Sequence, residues 1–242
     1  MRQEERRSSA LLGALLAGGK STRYGKPKPL EPMAGRPMAV WPFEALKTQF
    51  TRVVLLSGDE ELARILACPH RTDRIPGQGP LGGLVTALHW ARELGLEGVF
   101  LLACDLPLVN GSLVARILAH GFQGRSALVP ASPGPLGMEP LCAAYGLSCL
   151  SPAEALLAAG RRSMMGLLEA VPVSLVPLGS LGGEASVARQ FRNVNSPEDG
   201  RAVEEILRQG VHSPSHGLNG RESGAIEQGP GDGPVPPERT NP

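Results

Sequence analysis

The sequence predicts a single Rossmann-like α/β domain with a mostly parallel sheet, and two features of the chain support this fold class. Residues 11–16 and 98–103 are nearly continuous apolar runs, which is typical of parallel strands that helices cover on both faces. Predicted strands and helices also alternate through the first half of the chain, as they do in doubly wound sheets.

The first half of the chain supplies most of the predicted parallel strands. Besides the strand at residues 11–16, strands are expected at 52–57, 70–75 and 98–103. Helices are expected at 38–48, 60–67, 84–94 and 112–120. Pro37 suits the first position of its helix, and Asp59 can cap the helix that follows it.

The second half of the chain has a less regular pattern. Strands are expected at residues 127–130, 138–145, 172–177 and 191–193, and helices at 151–159, 163–169 and 196–209. The last helix has the clearest start, because Ser196 is a good N-cap, Pro197 fits the first position, and two acidic residues follow.

Composition sets the expected limits of the domain. Residues 1–9 are predicted to be a charged N-terminal extension, residues 10–209 the folded domain, and residues 210–242 a disordered tail. The tail is rich in glycine, proline and polar residues, so it cannot bury enough apolar surface to offset its chain entropy. The first apolar stretch is short and follows Glu4 and Glu5, so no signal peptide is expected.

The bulk composition excludes several classes of protein. The net charge is +1, which gives no indication of a nucleic-acid partner, and no apolar run is long enough to span a membrane. The four cysteines form no C-x-x-C pair, so neither a zinc site nor a disulfide framework is expected. The predicted location is the cytoplasm.

The segment after the first strand is a basic, glycine-rich loop. Its cations are Lys20, Arg23, Lys26 and Lys28, and Gly25, Pro27 and Pro29 prevent a long helix there. Ligands of open α/β sheets bind beyond the carboxyl ends of strands, and glycine N–H groups among cations suit a polyphosphate. The alternative is a solvated surface loop without a ligand.

One sharper interpretation of this loop is disfavoured. Gly19, Lys20 and Ser21 match the end of a P-loop, but the first glycine of that pattern would fall on Ala14, inside the strand. A P-loop also needs a helix that begins at its lysine, and the glycine and prolines that follow forbid a long one.

A second glycine-rich segment precedes the predicted helix at residues 84–94. Gly77, Gly79 and Gly82 spell G-x-G-x-x-G, but the segment is not in a first βα unit and Pro80 lacks a backbone N–H, so a dinucleotide site is disfavoured. Gly82 and Gly83 would let the start of a helix approach a ligand closely. A tightly packed turn is the alternative.

Three polar residues lie where ligands are expected. Asp105 follows a buried strand beside the phosphate-type loop, which suits Mg²⁺, although a turn-capping role is the alternative. Asn195 precedes the last helix and could ligate a metal or orient a phosphate, or simply cap. Asp73 could accept hydrogen bonds from a base or ribose, or be an ordinary loop acid.

Four segments of the chain, in the same order, resemble a known family. They are LAGGKSTRYGKPK, DRIPGQGPLGGL, ACDLP and NVNSPED, and EPLCAAY and GRRS also fit. Over roughly residues 11–207 the chain resembles the molybdenum cofactor guanylyltransferases of the MobA-like NTP transferase family. The resemblance implies a sheet of the nucleotide-diphospho-sugar transferase type. It also implies transfer of GMP from GTP to the terminal phosphate of Mo-bound molybdopterin, with release of pyrophosphate.

The same resemblance implies the site residues. The implied catalytic groups are Lys28, Arg23 and Asp105, and Asp105 is the implied ligand of Mg²⁺, the implied cofactor. Asn195 is expected as a further metal ligand from its place before the last helix. The implied GTP-binding residues are Leu16, Ala17, Gly18, Gly19, Lys28, Asp73, Gly79, Pro80, Leu81, Gly82 and Asp105. Proteins that deliver molybdopterin and mature molybdoenzymes are expected partners, and neither nucleic acid nor a membrane is.

The chain departs from the family pattern at three places. Tyr24 replaces the usual methionine, Lys26 and Lys28 leave two candidate phosphate lysines, and the 56–58 segment lacks an asparagine that touches the nucleotide in some members. The rival functions are the cytidylyltransferase of the same cofactor, whose first loop usually reads A-A-G, and a sugar-phosphate nucleotidyltransferase, which usually carries longer C-terminal elements. A regulatory module without catalysis is disfavoured because Lys28 and Asp105 are kept.

Overall fold

A seven-stranded sheet forms the centre of the protein in a computed structural model that describes residues 10–18, 27–74, 76–122 and 126–211. In chain order the strands are β1 (Leu11–Leu16), β2 (Pro32–Met33), β3 (Arg36–Pro37), β4 (Val53–Leu56), β5 (His70–Arg71), β6 (Gly98–Ala103), β7 (Ala127–Pro130), β8 (Cys142–Gly146) and β9 (Val173–Val176). Across the sheet the order is β5-β4-β1-β6-β8-β7-β9, and β2 pairs with β3 in a separate hairpin.

Helices cover both faces of this sheet. They are α1 (Val40–Lys47), α2 (Glu60–Leu66), α3 (Gly79–Glu93), α4 (Gly111–Leu118), α5 (Leu150–Ala158), α6 (Met164–Ala170), α7 (Glu184–Gln190) and α8 (Pro197–Val211). Short 3₁₀ turns occur at Lys28–Leu30, Leu147–Cys149 and Leu178–Leu181. Within the residues described, no helix combines the length and apolar character needed to cross a membrane.

The two central strands divide the core into two halves. All six residues of β1 and all six of β6 are buried, as the continuous apolar runs predict. Leu11 and Leu15 pack with α1, α2, α4, α7 and α8 on one face, whereas Leu12 and Leu16 pack with α3, α5 and α6 on the other. Each fully buried leucine contributes roughly 1.5–3 kcal/mol, so this three-layer packing fixes the position of both strands.

The sheet is mostly parallel, as predicted, with one reversed strand. β1 pairs in parallel with β4 and β6, and β4 pairs in parallel with β5. β8 is antiparallel to both β6 and β7, and β7 and β9 are again parallel. Of the predicted strand at 138–145, only the part from Cys142 joins the sheet, and Met138 forms an isolated bridge with Ala131.

Several predicted helix starts are confirmed by their capping hydrogen bonds. The Asp59 carboxylate accepts a hydrogen bond of 3.0 Å from the Leu62 N–H, and Ser163 Oγ accepts one of 3.3 Å from Gly166 N–H. Pro42 lies in the first turn of α1, where its missing N–H costs no helical bond. The helix expected at 84–94 starts earlier, because the glycine-rich segment itself forms the first turn of α3.

The strand predicted at residues 191–193 is wrong, and the helix α7 (Glu184–Gln190) is not among the predicted helices. Residues 191–193 are not a strand, since Phe191 is the C-cap of α7. Phe191 and Val194 are buried in the core beside the helices, so apolar character there reflects packing rather than strand pairing. α8 continues to Val211, just beyond the expected end of the domain. The predicted extension at 1–9 and residues 212–242 of the predicted tail lie outside the described residues.

Candidate active site

The carboxyl ends of three neighbouring strands meet at one edge of the sheet. Leu16, the last residue of β1, lies opposite Leu56 of β4 and Ala103 of β6. The Ala17 N–H donates to the Leu56 carbonyl at 3.1 Å, and the Cys104 N–H donates to the Leu16 carbonyl at 2.9 Å. This pairing brings the segments that follow each strand side by side, as expected for a ligand site of an open α/β sheet.

A polar cluster of Lys28, Asp105 and Asn195 lies at this edge. Lys28 Nζ is 3.4 Å from Asp105 Oδ2 and 3.4 Å from Asn195 Oδ1. The Val194 N–H donates to the Asp105 carbonyl at 3.0 Å, which fixes Asn195 next to the end of β6. Both contacts of the lysine are long for hydrogen bonds, so the Lys28 ammonium group lies close to both oxygens without a strong hydrogen bond to either.

The loop that carries Asn195 is fixed by the start of α8. Asp199 Oδ2 accepts hydrogen bonds from the Asn195 N–H at 3.0 Å and the Ser196 N–H at 2.9 Å. Ser196 Oγ in turn accepts the Asp199 N–H at 3.2 Å, a reciprocal capping arrangement. These bonds, led by that of the Asn195 N–H, lower the pKa of the Asp199 carboxyl. Ser196 therefore caps, as predicted, and leaves the amide of Asn195 facing Lys28.

Asp105 is the electrostatic centre of the cluster. Its Oδ2 atom pairs with Lys28, and the two side chains are 28% and 14% exposed, respectively. Its Oδ1 atom is buried and has no hydrogen-bond partner among the described residues. Burial, followed by the Asp105 charge, raises the pKa of the Cys104 thiol to about 12. A buried oxygen without a partner costs free energy, so this atom is suited to a ligand that supplies positive charge.

A second carboxylate lies near Asp105. Burial raises the pKa of the Glu139 carboxyl to about 6, the Leu141 N–H opposes that shift, and the charge of Asp105 adds to it. Glu139 Oε1 accepts the Leu141 N–H at 3.1 Å. The sequence pattern indicated a family segment here but gave Glu139 no role.

Beside the polar cluster, a cleft of about 430 Å³ opens between the ends of β1 and β4 and the start of α3. It is lined by Leu16, Gly18, Leu56, Ser57, Gly58, Thr72, Asp73, Pro76, Gly77, Gly79 and Pro80. Its volume lies within the range of small-ligand pockets.

Asp73 is the one acidic residue among those that line this cleft. Burial raises the pKa of its carboxyl, and in the described part of the chain no group donates a hydrogen bond to it. The Arg74 N–H donates to Thr86 Oγ1 at 3.1 Å, and Thr86 donates to the Gly82 carbonyl at 3.0 Å. The segment that carries Asp73 is thus fixed to α3.

Two glycines of α3 are required by close packing around the cleft. A Cβ on Gly83 would clash with Leu16 Cδ1, and one on Gly82 would lie 2.6 Å from Gln78 Cβ. The same two positions are 3.6 Å and 3.9 Å from the Asp73 carboxylate oxygens. Glycine at both positions therefore lets α3 approach Asp73, and Gly83 also lets it approach Leu16 of β1.

A family model described as the MobA-like NTP transferase domain matches residues 13–173, which is more than half of the chain. The chain belongs to the MobA-like NTP transferase family. The glycine-rich cleft and the Lys28–Asp105 pair both lie inside the matched residues, whereas Asn195 follows them.

Relatives of this MobA-like protein cover most of its length. A Carboxydothermus hydrogenoformans protein named "Probable molybdenum cofactor guanylyltransferase" is 32% identical over 186 residues, which are 77% of this chain and 91% of the relative. The molybdenum cofactor guanylyltransferase of Cereibacter sphaeroides is 30% identical, with 82% of this chain and 98% of the relative covered.

Two solved structures show the same architecture. Molybdopterin-guanine dinucleotide biosynthesis protein A from Archaeoglobus fulgidus has a TM-score of 0.68 and 25% identity, and the match covers 82% of this chain and all of that one (100%). The 2-C-methyl-D-erythritol 4-phosphate cytidylyltransferase of Thermus thermophilus has a TM-score of 0.58 at 19% identity, over 81% and 98% of the two chains. At that identity the second match supports the nucleotidyltransferase fold alone.

Most of the predicted site residues of this MobA-like domain converge. Lys28, Asp105 and Asn195 form the polar cluster, while Leu16, Gly18, Asp73, Gly79 and Pro80 line the cleft.

Two other predicted site residues are placed differently, and two more are not among the described residues. Ala17 is buried with 8% exposure, and Leu81 of α3 is fully buried in the core, so the Leu81 side chain packs rather than faces the cleft. Gly19 and Arg23, like Lys26, lie outside the described residues. Lys28 lies at Asp105, whereas Lys26 is not among the described residues, so the choice between the two lysines stays a prediction.

The donor set of the cluster fits Mg²⁺. Asp105 and Asn195 offer the carboxylate and amide oxygens that hard cations bind, and Asp105 Oδ1 is buried without a partner among the described residues. Residues 10–18, 27–74, 76–122 and 126–211 contain no group of three or more His, Cys, Asp or Glu side chains arranged to hold a metal.

Proposed function

We propose that this MobA-like protein is a molybdenum cofactor guanylyltransferase, which transfers GMP from GTP to the terminal phosphate of Mo-bound molybdopterin and releases pyrophosphate. The observation that carries the proposal is the Lys28–Asp105–Asn195 cluster beside a glycine-walled cleft that contains Asp73. The names of the relatives and of the Archaeoglobus structure support the same reaction.

The cluster has the charge pattern that nucleotidyl transfer needs. The attacking group is already an anionic phosphate, so the residues must position reactants and neutralise charge rather than remove a proton. Lys28 carries a positive charge on a partly buried side chain, where an ammonium stabilises phosphate oxygens more than it would in water. Arg23, by its place in the family loop, is proposed to act with it on the departing pyrophosphate.

Asp105 and Asn195 are the proposed ligands of Mg²⁺. The bound ion would offset the charge of the phosphates and of the pyrophosphate leaving group. When the ion and GTP bind, Lys28 must exchange its contacts with Asp105 Oδ2 and Asn195 Oδ1 for contacts with substrate. Each of these contacts is 3.4 Å long, so little hydrogen-bond energy is lost in the exchange.

Asp73 is the proposed reader of the guanine base. A carboxylate with two free oxygens accepts two neighbouring donors, and the guanine edge offers its ring N–H beside its amino group. Cytosine has a single amino group and no neighbouring ring N–H, so it would leave one oxygen of the half-buried Asp73 without a donor. Such unpaired groups can reject a wrong substrate by about 10⁴-fold.

The test is an incubation of the full chain with Mo-loaded molybdopterin, MgCl₂ and either GTP or CTP. The dinucleotide is detected by chromatography and the pyrophosphate by a coupled assay. Formation of the guanine dinucleotide, with kcat/KM for CTP lower by orders of magnitude, is expected. Equal values of kcat/KM would indicate the cytidylyltransferase instead. We further propose the cytoplasm as the site of action, with proteins that deliver molybdopterin as partners.

A further inference from the structure

Glu139 is a partly buried acidic residue near the cluster, and the proposed reaction leaves it without a role. It lies in the segment between Met138 and β8, and its N–H donates to the Pro130 carbonyl of β7 at 3.0 Å. Its Oε1 atom accepts the Leu141 N–H. Within the described residues neither a lysine nor an arginine contacts its carboxylate, so the carboxylate is fixed in place by backbone groups alone.

The strand pairing brings Glu139 near Asp105. In the antiparallel pair of β6 and β8, Leu102 lies opposite Cys142, and the last ladder bond joins the Ala103 N–H to the Leu141 carbonyl at 2.9 Å. Beyond this bond one strand leads to Asp105 and the other leads back to Glu139. The charge of Asp105 acts on Glu139, in agreement with this placement.

Two carboxylates on facing strands repel each other unless a cation lies between them. Lys28 does not supply this cation, because its contacts are to Asp105 Oδ2 and Asn195 Oδ1. The Oδ1 atom of Asp105 is buried and without a partner in the described part of the chain. The fold thus brings a second acidic group near Asp105, whose Oδ1 atom has no partner among the described residues.

We propose that Glu139 is a second carboxylate of the divalent-cation site, facing the cation together with Asp105 and Asn195. This inference rests on the proposed function, since it assigns a further ligand to the cation of that reaction. Two carboxylates and a few waters or phosphate oxygens form the coordination that Mg²⁺ prefers. The backbone bond from Leu141 orients Glu139, as supporting groups orient other metal ligands.

The experiment measures binding of Mn²⁺ alone to the full-length protein, followed by the electron paramagnetic resonance signal of free Mn²⁺. Glu139→Gln keeps the shape of the side chain and the acceptor for Leu141 N–H but removes the charge. Glu204→Gln is the matched control, because Glu204 Oε1 also accepts a backbone N–H, that of Ala34 at 3.0 Å. Asp105→Asn serves as the positive control.

We expect Glu139→Gln to weaken Mn²⁺ binding by about tenfold or more, on the scale of lost metal-site groups, and Glu204→Gln to leave it unchanged. Without metal, Glu139→Gln should melt at or above the temperature of the wild type, because one of two opposed charges is gone. Three outcomes would each overturn the proposal. Glu139→Gln could bind Mn²⁺ as tightly as the wild type, or the wild type could show no saturable Mn²⁺ binding. The metal-free melting temperature of Glu139→Gln could also drop clearly below that of the wild type.

Failure of this proposal is distinguishable from failure of the proposed function. Dinucleotide synthesis by the wild type tests the function, whereas Mn²⁺ affinity uses neither GTP nor molybdopterin. The wild type could make the dinucleotide while Glu139→Gln binds Mn²⁺ normally. That result would show that Glu139 is not part of the cation site, and it would still support the proposed function.

Discussion

Asp105 and Lys28 depend on each other, because each compensates a charge that the fold has partly buried. The two side chains keep 28% and 14% exposure, so solvent screens much of the charge that a substitution on one side leaves behind, and the net contribution of the pair to stability is small. The effect of substitutions at these residues should therefore appear mainly in turnover.

At Asp105, we expect Asp105→Asn to lower kcat by at least about a hundredfold, the scale for losing one preorganised electrostatic group. The amide keeps the shape of the side chain, so the melting temperature should change little. Dinucleotide formation and thermal denaturation, measured on the same preparation, check both parts. Unchanged turnover would contradict the assignment of Asp105 to the reaction.

Between the two candidate lysines, Lys28→Ala should cost a similar factor in kcat/KM and weaken GTP binding, because a phosphate charge loses its partner. Lys26→Ala should change kcat/KM little, as expected for a screened surface charge. Steady-state kinetics on both variants decide the register of the loop. A large loss at Lys26 with none at Lys28 would mean that the family alignment is shifted by two residues.

At Glu139, stability should depend on pH in a predictable direction. The pKa of its carboxyl is raised from 4.5 to about 6 in the folded protein, so the folded state binds this proton more tightly than the unfolded chain does. That advantage is present below pH 4.5 and is lost as pH rises through about 6.

The wild type should therefore lose about 2 kcal/mol of unfolding free energy relative to Glu139→Gln between pH 4.5 and pH 7, from the size of the pKa shift. Urea denaturation of both proteins in metal-free buffer measures the difference. A difference that does not vary with pH would show that Glu139 titrates normally in the folded protein.

Among the elements, β1 and α3 meet through glycine, and this contact shapes the cleft. A Cβ at Gly83 would collide with Leu16 Cδ1, and Leu16 lies in the cleft wall. We expect Gly83→Ala to cost about 1–3 kcal/mol through overpacking and to raise the KM for GTP.

The matched control for Gly83 is Gly179→Ala, since a Cβ at Gly179 would have no neighbour within 4 Å. It should leave both the KM and the melting temperature close to those of the wild type. If Gly83→Ala binds GTP normally, the cleft between β1 and α3 is not where the nucleotide lies.

The sequence predicts an element well when neighbouring residues form it, and poorly when residues far apart in the chain form it. The apolar runs of β1 and β6, the cap at Asp59 and the helix start at Ser163 are local features, and all four are confirmed. The direction and place of β8 depend on pairing with distant strands, so no local pattern contains them.

The candidate site divides in the same way. Lys28, Asp105 and Asn195 could be proposed from motifs that resemble a family, and the fold brings them together. The role proposed for Glu139 is argued from the reversed strand beside it, which the sequence alone does not reveal. α7 was missed because its N-cap is Gly183, which makes no side-chain capping bond, so the start signal that marks α2 and α6 is absent there.

For the whole molecule, the residues that form the site all lie ahead of the predicted tail. The tail is poor in apolar residues, and we expect it to contribute nothing to the core. A chain that ends after Val211 keeps α8 and should retain the melting temperature and turnover of the full chain. Calorimetry and the dinucleotide assay measure this, and a melting temperature lowered by several degrees would show that the tail packs on the domain.

The wide spacing of the cluster along the chain has a consequence for how the protein is made. Lys28 and Asn195 are separated by 167 positions, and the ribosome releases the chain from its N-terminus. The strands around β1 can close before Asn195 emerges, so the nascent domain would have a sheet before it has a complete site. We expect ribosome-bound chains that stop ahead of Asn195 to resist protease yet bind Mn²⁺ more weakly than released protein, so that cofactor chemistry begins only when synthesis of the domain is nearly finished.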